Sequence, residues 1–107
     1  MSAVQVTEQS FAPTVEQDDH PVLVDFWAPW CGPCRAMSQV VDELADEVAG
    51  QATVVTANVD DLLARAAEYG VQSIPAFVIV RNGEIKERII GVVSKKTLRD
   101  ALEPHFN

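Results

Sequence analysis

The stretch VLVDFWA, at 22–28, limits the fold more than any other part of the chain. Every residue in it except Asp25 is apolar, and most are β-branched or aromatic. A strand with one wet face alternates apolar and polar residues. An almost continuous apolar run instead reads as a central strand buried on both faces. Such a strand needs a layer on each side, and the flanking sequence supplies helices. After it, Met37, Val40, Val41, Leu44, Ala45 and Val48 fall at helical spacing on one face, and Gly50 is placed to stop that helix. Before it, Val4 to Val6 form a short strand. Thr7 caps a helix through Phe11 to about Glu16, which cannot continue through Pro21.

The rest of the chain keeps alternating. ATVVTANV at 52–59 reads as a strand, and Asp60 or Asp61 caps a short helix to Tyr69, ended by Gly70. AFVIV at 76–80, Asn82-Gly83 and EIKERII at 84–90 give a hairpin signal. Ser94 caps a last helix with Leu98, Ala101 and Leu102 inward. The order β-α-β-α-β-α-β-β-α implies an α/β fold: a parallel core sheet, helices on both faces and an antiparallel edge. With 107 residues the chain suits one domain, 1–107, and not two.

Composition narrows the function. The net charge of −8 argues against nucleic acid or an anionic membrane as the main partner. The longest apolar run is too short to span a bilayer. MSAVQVTEQS has no basic start and no apolar run, so no secretory signal is read, and a cytoplasmic location is expected. In a compartment where thiols stay reduced, a disulfide is more often catalytic than structural.

Both cysteines lie in WCGPC at 30–34, where the central strand ends and a helix begins. Sites on such sheets lie beyond the carboxyl ends of the strands. A thiol at a helix N-terminus meets unpaired N–H groups and partial positive charge, which lower its pKa below the free value of about 8.5. Cys31 opens the helix and is expected to be exposed, with Cys34 one turn in and more buried. Gly32 limits crowding, and Pro33 suits the first turn. A metal clamp would need four ligands, and His20 and His105 lack finger spacing. A structural staple closing so small a loop would constrain the unfolded chain little. A reversible redox switch is the favoured reading of the three.

Other residues carry two readings each. Asp25 is either an edge-exposed carboxylate or a buried carboxyl with a raised pKa, exchanging a proton near the cysteines. Trp30 is read as an exposed contact residue rather than core. Met37 reads as core, and the Asp42–Glu43 and Asp46–Glu47 doublets as a solvated helix face. Pro75, just before a strand, is read as trans from its residues alone.

WCGPC after VDFWA, then Ile-Pro before a strand, then Asn-Gly and Gly91, together resemble the thioredoxin family across essentially the whole chain. The resemblance implies a thioredoxin fold, a central mixed five-stranded sheet flanked by four helices. It implies a protein-disulfide reductase without a bound cofactor or metal. An NADPH-dependent, flavin-containing thioredoxin reductase would recharge it, and its targets would be disulfide-containing proteins. A monomer is expected. Cys31 would be the nucleophile, Cys34 the resolving thiol, Asp25 the carboxyl that helps deprotonate Cys34, and Pro75 a cis proline facing them. Trp30, Gly32, Pro33, Ile74, Pro75, Gly91 and Val92 would form the docking surface.

Three positions depart from the family pattern. Thr56 stands where a lysine is usual near the buried aspartate, Gln39 where the long helix commonly has proline, and Ala76 where threonine usually follows the cis proline. Without the lysine, Asp25 is expected to stay neutral to higher pH. An oxidant or isomerase, and a scaffold that binds without turnover, are the competing readings.

Overall fold

In a computed structural model that describes residues 3–107, the elements are β1 (Val4–Gln5), α1 (Glu8–Phe11), β2 (Val22–Trp27), α2 (Gly32–Glu47), β3 (Thr53–Asn58), α3 (Leu63–Glu68), β4 (Ala76–Arg81), β5 (Glu84–Ile90) and α4 (Lys95–Leu102). A π turn, Ala12–Glu16, extends α1, and a 3-10 turn, Glu103–His105, follows α4. The strands form one mixed sheet in the order β1-β3-β2-β4-β5. β1, β3 and β2 run parallel, β4 is antiparallel to β2, and β5 is antiparallel to β4.

β2 lies in the middle, and alternation along it divides the core. Val22, Val24 and Phe26 pack with Phe11, Val15, Leu62 and Tyr69. Leu23 packs on the opposite face with Met37, Leu44, Phe77, Leu98 and Leu102. Asp25 and Trp27 share the parity of Leu23 and so point to the α2 side. Both layers are needed to cover β2, whose residues other than Asp25 are all apolar.

Local chemistry accounts for the element ends. Thr7 and Ser10 cap α1 reciprocally: the Ser10 N–H donates to Thr7 Oγ1 at 3.2 Å and the Thr7 N–H to Ser10 Oγ at 2.8 Å. Pro13 brings no N–H, so the helix widens there, and the Gln17 N–H reaches back to Ala12 O at 3.1 Å. Asn82 and Gly83, with φ of 53° and 78°, make the left-handed turn that Asn-Gly favours between β4 and β5.

Several boundaries shift by a residue from the sequence reading, and two of the differences bear on local bonding. β1 stops at Gln5, although the Val6 N–H still bonds Thr56 O at 2.9 Å and the Val6 side chain is buried. The cap of α3 is Leu62, not Asp60 or Asp61, and it makes no side-chain cap bond. Asp60 is engaged elsewhere: its N–H donates to Asn58 Oδ1 and its carboxylate accepts from Trp30.

Phe11 joins α1 to the sheet. It is fully buried, with ring centroids 5.3 Å from Tyr69 and 6.5 Å from Phe26, and the Arg65 guanidinium lies 4.8 Å above its ring. Phe11→Ala is expected to cost about 3–5 kcal/mol. Urea unfolding checks this. A loss below about 1 kcal/mol would mean that the site collapses freely rather than leaving a cavity.

Candidate functional site

The site forms where β2 hands over to α2. After Trp27 the chain turns, with the Cys31 N–H donating to Ala28 O at 3.1 Å and Arg35 Nη1 to Pro29 O at 2.9 Å. Cys31 is the N-cap of α2, in extended backbone, and its Sγ accepts the Cys34 N–H at 3.2 Å. A sulfur therefore takes the place of the usual capping oxygen. Gly32 and Pro33 make the first two helical positions, where a missing N–H costs nothing. Cys31 and Cys34 are joined as a disulfide, with Cα atoms 5.3 Å apart.

Cys31 is not exposed as the sequence suggested. It is 5% accessible against 3% for Cys34. The turn folds it against Ala28, with Trp27, Val59 and Ile74 closing around the pair, and its Sγ lies 4.0 Å from Ile74 O.

The Ile74–Pro75 bond is cis, not the trans read from the residues alone. Pro75 is buried, while Ile74 is half-buried against the cysteines. The Gly91 N–H donates to Pro75 O at 2.8 Å. Gly91 has φ +95°, a region that β-carbons disfavour, so a glycine is suited to this join. Val92 beside it is exposed, as are Gly32 and Pro33 between the cysteines and Trp30 before them. Ile74 packs on the cysteine pair, and Gly91 meets the site through the Pro75 carbonyl. Two further residues lie beside Trp30. Asp60 receives Trp30 Nε1 at 3.0 Å. Leu63 is 71% exposed and borders a groove of about 270 Å³ that runs past Trp30 and Ile74. From sequence, Asp60 is only a candidate helix cap and Leu63 lies inside the helix that follows; the Trp30 bond reveals the first and exposure the second.

Behind the disulfide lies a second hollow. A chamber of about 420 Å³ is lined by Asp25, Trp27, Cys34, Arg35, Ser38, Asp42, Thr56 and Ala3. Asp25 is the one charged side chain in the core among the described residues, and its Oδ1 has no hydrogen-bond partner. Burial first, and the negative charge of Asp42 second, push its carboxyl up to about 7. The edge-exposed reading of Asp25 is thereby excluded. Asp42 does not sit on a fully solvated face. It is half-buried on the chamber wall, where its Oδ1 accepts the Ala3 N–H at 3.1 Å.

The three departures from the family pattern have distinct settings. Thr56 is the register partner of Asp25 across β2 and β3. Gln39 is exposed and donates to Glu43 Oε2 at 3.0 Å, on a helix unbroken from Gly32 to Glu47. Ala76 is fully buried in register with Phe26. His20 is bonded to Asp18 and His105 to Glu87, both away from the cysteines. Among the described residues no cluster of His, Cys, Asp and Glu suits a metal ion, and no helix is long and apolar enough to cross a membrane.

Comparison with known proteins agrees with this geometry. The thioredoxin family model matches residues 2–104. The chain is 50% identical to a thioredoxin of Porphyra purpurea over 107 residues, covering 100% of both chains. It is 46% identical to thioredoxin 1 of a Nostoc species over 105 residues, 98% of each. A solved point mutant of thioredoxin from Halobacterium salinarum superposes with a TM-score of 0.89 at 32% identity, over 99% of this chain and 92% of that one. A helix-capping cysteine pair on a five-stranded mixed sheet, and full-length likeness to these relatives, mean that the chain belongs to the thioredoxin family and is a dithiol–disulfide oxidoreductase that reduces protein disulfides.

Proposed function

We propose that the two sulfurs divide the reaction, with Cys31 as nucleophile and Cys34 as resolving thiol. The observation that carries this reading is the Cys34 N–H directed at Cys31 Sγ at the start of α2. That N–H and the helix dipole stabilise negative charge on the Cys31 sulfur, and the thiolate is the attacking form. The Cys31 thiolate attacks one sulfur of a substrate disulfide. A mixed disulfide forms, and the other substrate sulfur leaves as a thiolate and takes up a proton. Cys34 then loses its proton and attacks Cys31 Sγ. The mixed disulfide breaks, the second substrate sulfur leaves reduced, and the Cys31–Cys34 disulfide is restored.

Asp25 is the proton acceptor for Cys34. Both groups line the same chamber, and a carboxyl with a pKa of about 7 is populated in both protonation states near neutrality. Trp30, Gly32, Pro33, Ile74, Pro75, Gly91 and Val92 form the docking surface. An extended substrate segment pairs with main chain beside Pro75, where Ile74 packs on the disulfide and Gly91 bonds the Pro75 carbonyl. Reducing equivalents reach the pair from an NADPH-dependent flavoprotein thioredoxin reductase, so the protein carries electrons between NADPH and protein disulfides. It works as one thioredoxin domain over residues 1–107, as a monomer in the cytoplasm.

Insulin reduction by dithiothreitol, followed by turbidity, tests the activity. Cys31→Ser is expected to abolish it. Cys34→Ser is expected to attack and stall as a mixed disulfide visible by mass spectrometry. An adduct that accumulates on the Cys31 variant instead would reverse the two roles. Asp25→Asn is expected to leave the first attack unchanged at pH 7 and to slow release of the mixed disulfide, roughly tenfold or more. Rapid-mixing kinetics separate the two steps, and release at the wild-type rate would remove Asp25 from proton transfer.

A further inference from the structure

The chamber behind Cys34 contains an arrangement that the disulfide chemistry does not by itself explain. Its walls carry two carboxylates from different elements, Asp25 on β2 and Asp42 on α2. Asp25 Oδ1 and Trp27 Nε1 are buried there without partners. Of the other groups facing Asp25, α2 contributes Cys34, Ser38 and Arg35, β3 contributes the uncharged Thr56, and the segment before β1 contributes Ala3. β4 places Phe77 beside Asp25 in register. Arg35 is the cation among these lining residues, and its Nη1 is turned to the Pro29 carbonyl. Asp42 is held in place from outside the helix, since its Oδ1 accepts the Ala3 N–H at 3.1 Å. The N-terminal segment therefore fixes a negative charge on the chamber wall while β3 offers no cation to offset it.

We propose that Asp42 is a positioning residue for this reaction: from the chamber wall its carboxylate acts through Asp25 and sets how readily Asp25 takes the Cys34 proton. The inference rests on the role given to Asp25 above. Its physical basis is like-charge repulsion across the shared chamber, where a second carboxylate opposes ionisation of the first. Burial is the larger influence on Asp25 and Asp42 the next. A stronger base accepts the thiol proton more readily once ionised but is ionised at higher pH. Asp42 thus trades basic strength against the pH at which the base becomes available. The acid doublets on α2 are then not equivalent. Glu43 and Glu47 pair outward with Lys95, whereas Asp42 faces the chamber.

The test is an NMR titration of the Asp25 carboxyl with the disulfide intact. Asp42→Asn keeps an oxygen that can accept the Ala3 N–H, Asp42→Ser removes the charge with a shorter hydroxyl, and each is expected to lower the Asp25 midpoint by about half a pH unit or more. Asp42→Glu, which restores the charge, is expected to return it toward the wild-type value. Ala3→Pro removes the N–H donor and leaves the charge, and is expected to lower the midpoint less than Asp42→Asn. In the Asn variant the acid limb of the release rate should move to lower pH by the same amount, while the attack by Cys31 keeps its rate. An Asp25 midpoint that is unmoved or raised in either folded neutral variant overturns the proposal. So does an Ala3→Pro effect as large as that of Asp42→Asn, which marks a packing role. The titration needs no turnover, so this failure is distinct from failure of the Asp25 role, which would show as normal release in Asp25→Asn.

Discussion

A carboxyl group buried in the middle strand of a sheet opposes its own ionisation, because water no longer solvates the charge and nothing replaces it. Asp25 is in that position. It stands in β2 between Val24 and Phe26, both fully buried, with Oδ1 unpartnered. The features around the disulfide depend on how this group is housed. α2 follows the same strand and brings Cys34 to the chamber, so one strand-to-helix junction places both the cysteine pair and the buried carboxyl. The sheet register then decides the remaining neighbour, because pairing β2 with β3 puts Thr56 opposite Asp25.

α2 has different tasks on its different sides. Met37, Val41 and Leu44 bury one face against the sheet. The outer acids meet α4, with Lys95 reaching Glu43 at 3.1 Å and Arg99 reaching Glu47 at 3.0 Å. Exposed pairs of this kind contribute little to stability, because water already solvates both charges. They do offset acidic charge on the surface. The chamber side has no such compensation, and its two carboxylates share a space whose one lining cation is turned away. The asymmetry leaves two uncompensated carboxylates in the chamber that Cys34 also lines.

Much of this was legible in the sequence where the chemistry is local. The nearly continuous apolar run of β2, the helical spacing of Met37 to Val48 and the Asn-Gly turn each come from backbone periodicity or φ preference, and each appears in the structure. The cysteine spacing and the strand-to-helix junction located the site. What the sequence did not reveal depends on three-dimensional closure. Burial of Cys31 comes from Ile74, distant in the chain and brought close by the fold. The place of Asp42 depends on Ala3 crossing to α2, so a helical wheel alone assigns it to water. Asp60 looked like a helix cap because aspartate favours that position, but its carboxylate is taken by Trp30. The cis form of Ile74–Pro75 is a minority choice for any X–Pro bond, so the residues alone argued against it and the family resemblance supplied it.

Burial of Asp25 without compensation is tested most directly by the pH dependence of stability. A native carboxyl that titrates near 7 keeps its proton over a range where the unfolded chain, with an ordinary aspartate near 3.8, has lost it. The native state then binds more protons between those values, and stability falls as pH rises through that window. The whole effect, at about 1.36 kcal/mol per pH unit, is about 4 kcal/mol. Urea unfolding of the oxidised wild type and of Asp25→Asn, measured from pH 3 to pH 9, isolates the contribution because every other titrating group is common to both. The expected difference is smallest at pH 3, opens in favour of the Asn variant above about pH 4 and levels off above about pH 7. Stability curves that run parallel across the whole range would contradict a buried, uncompensated Asp25.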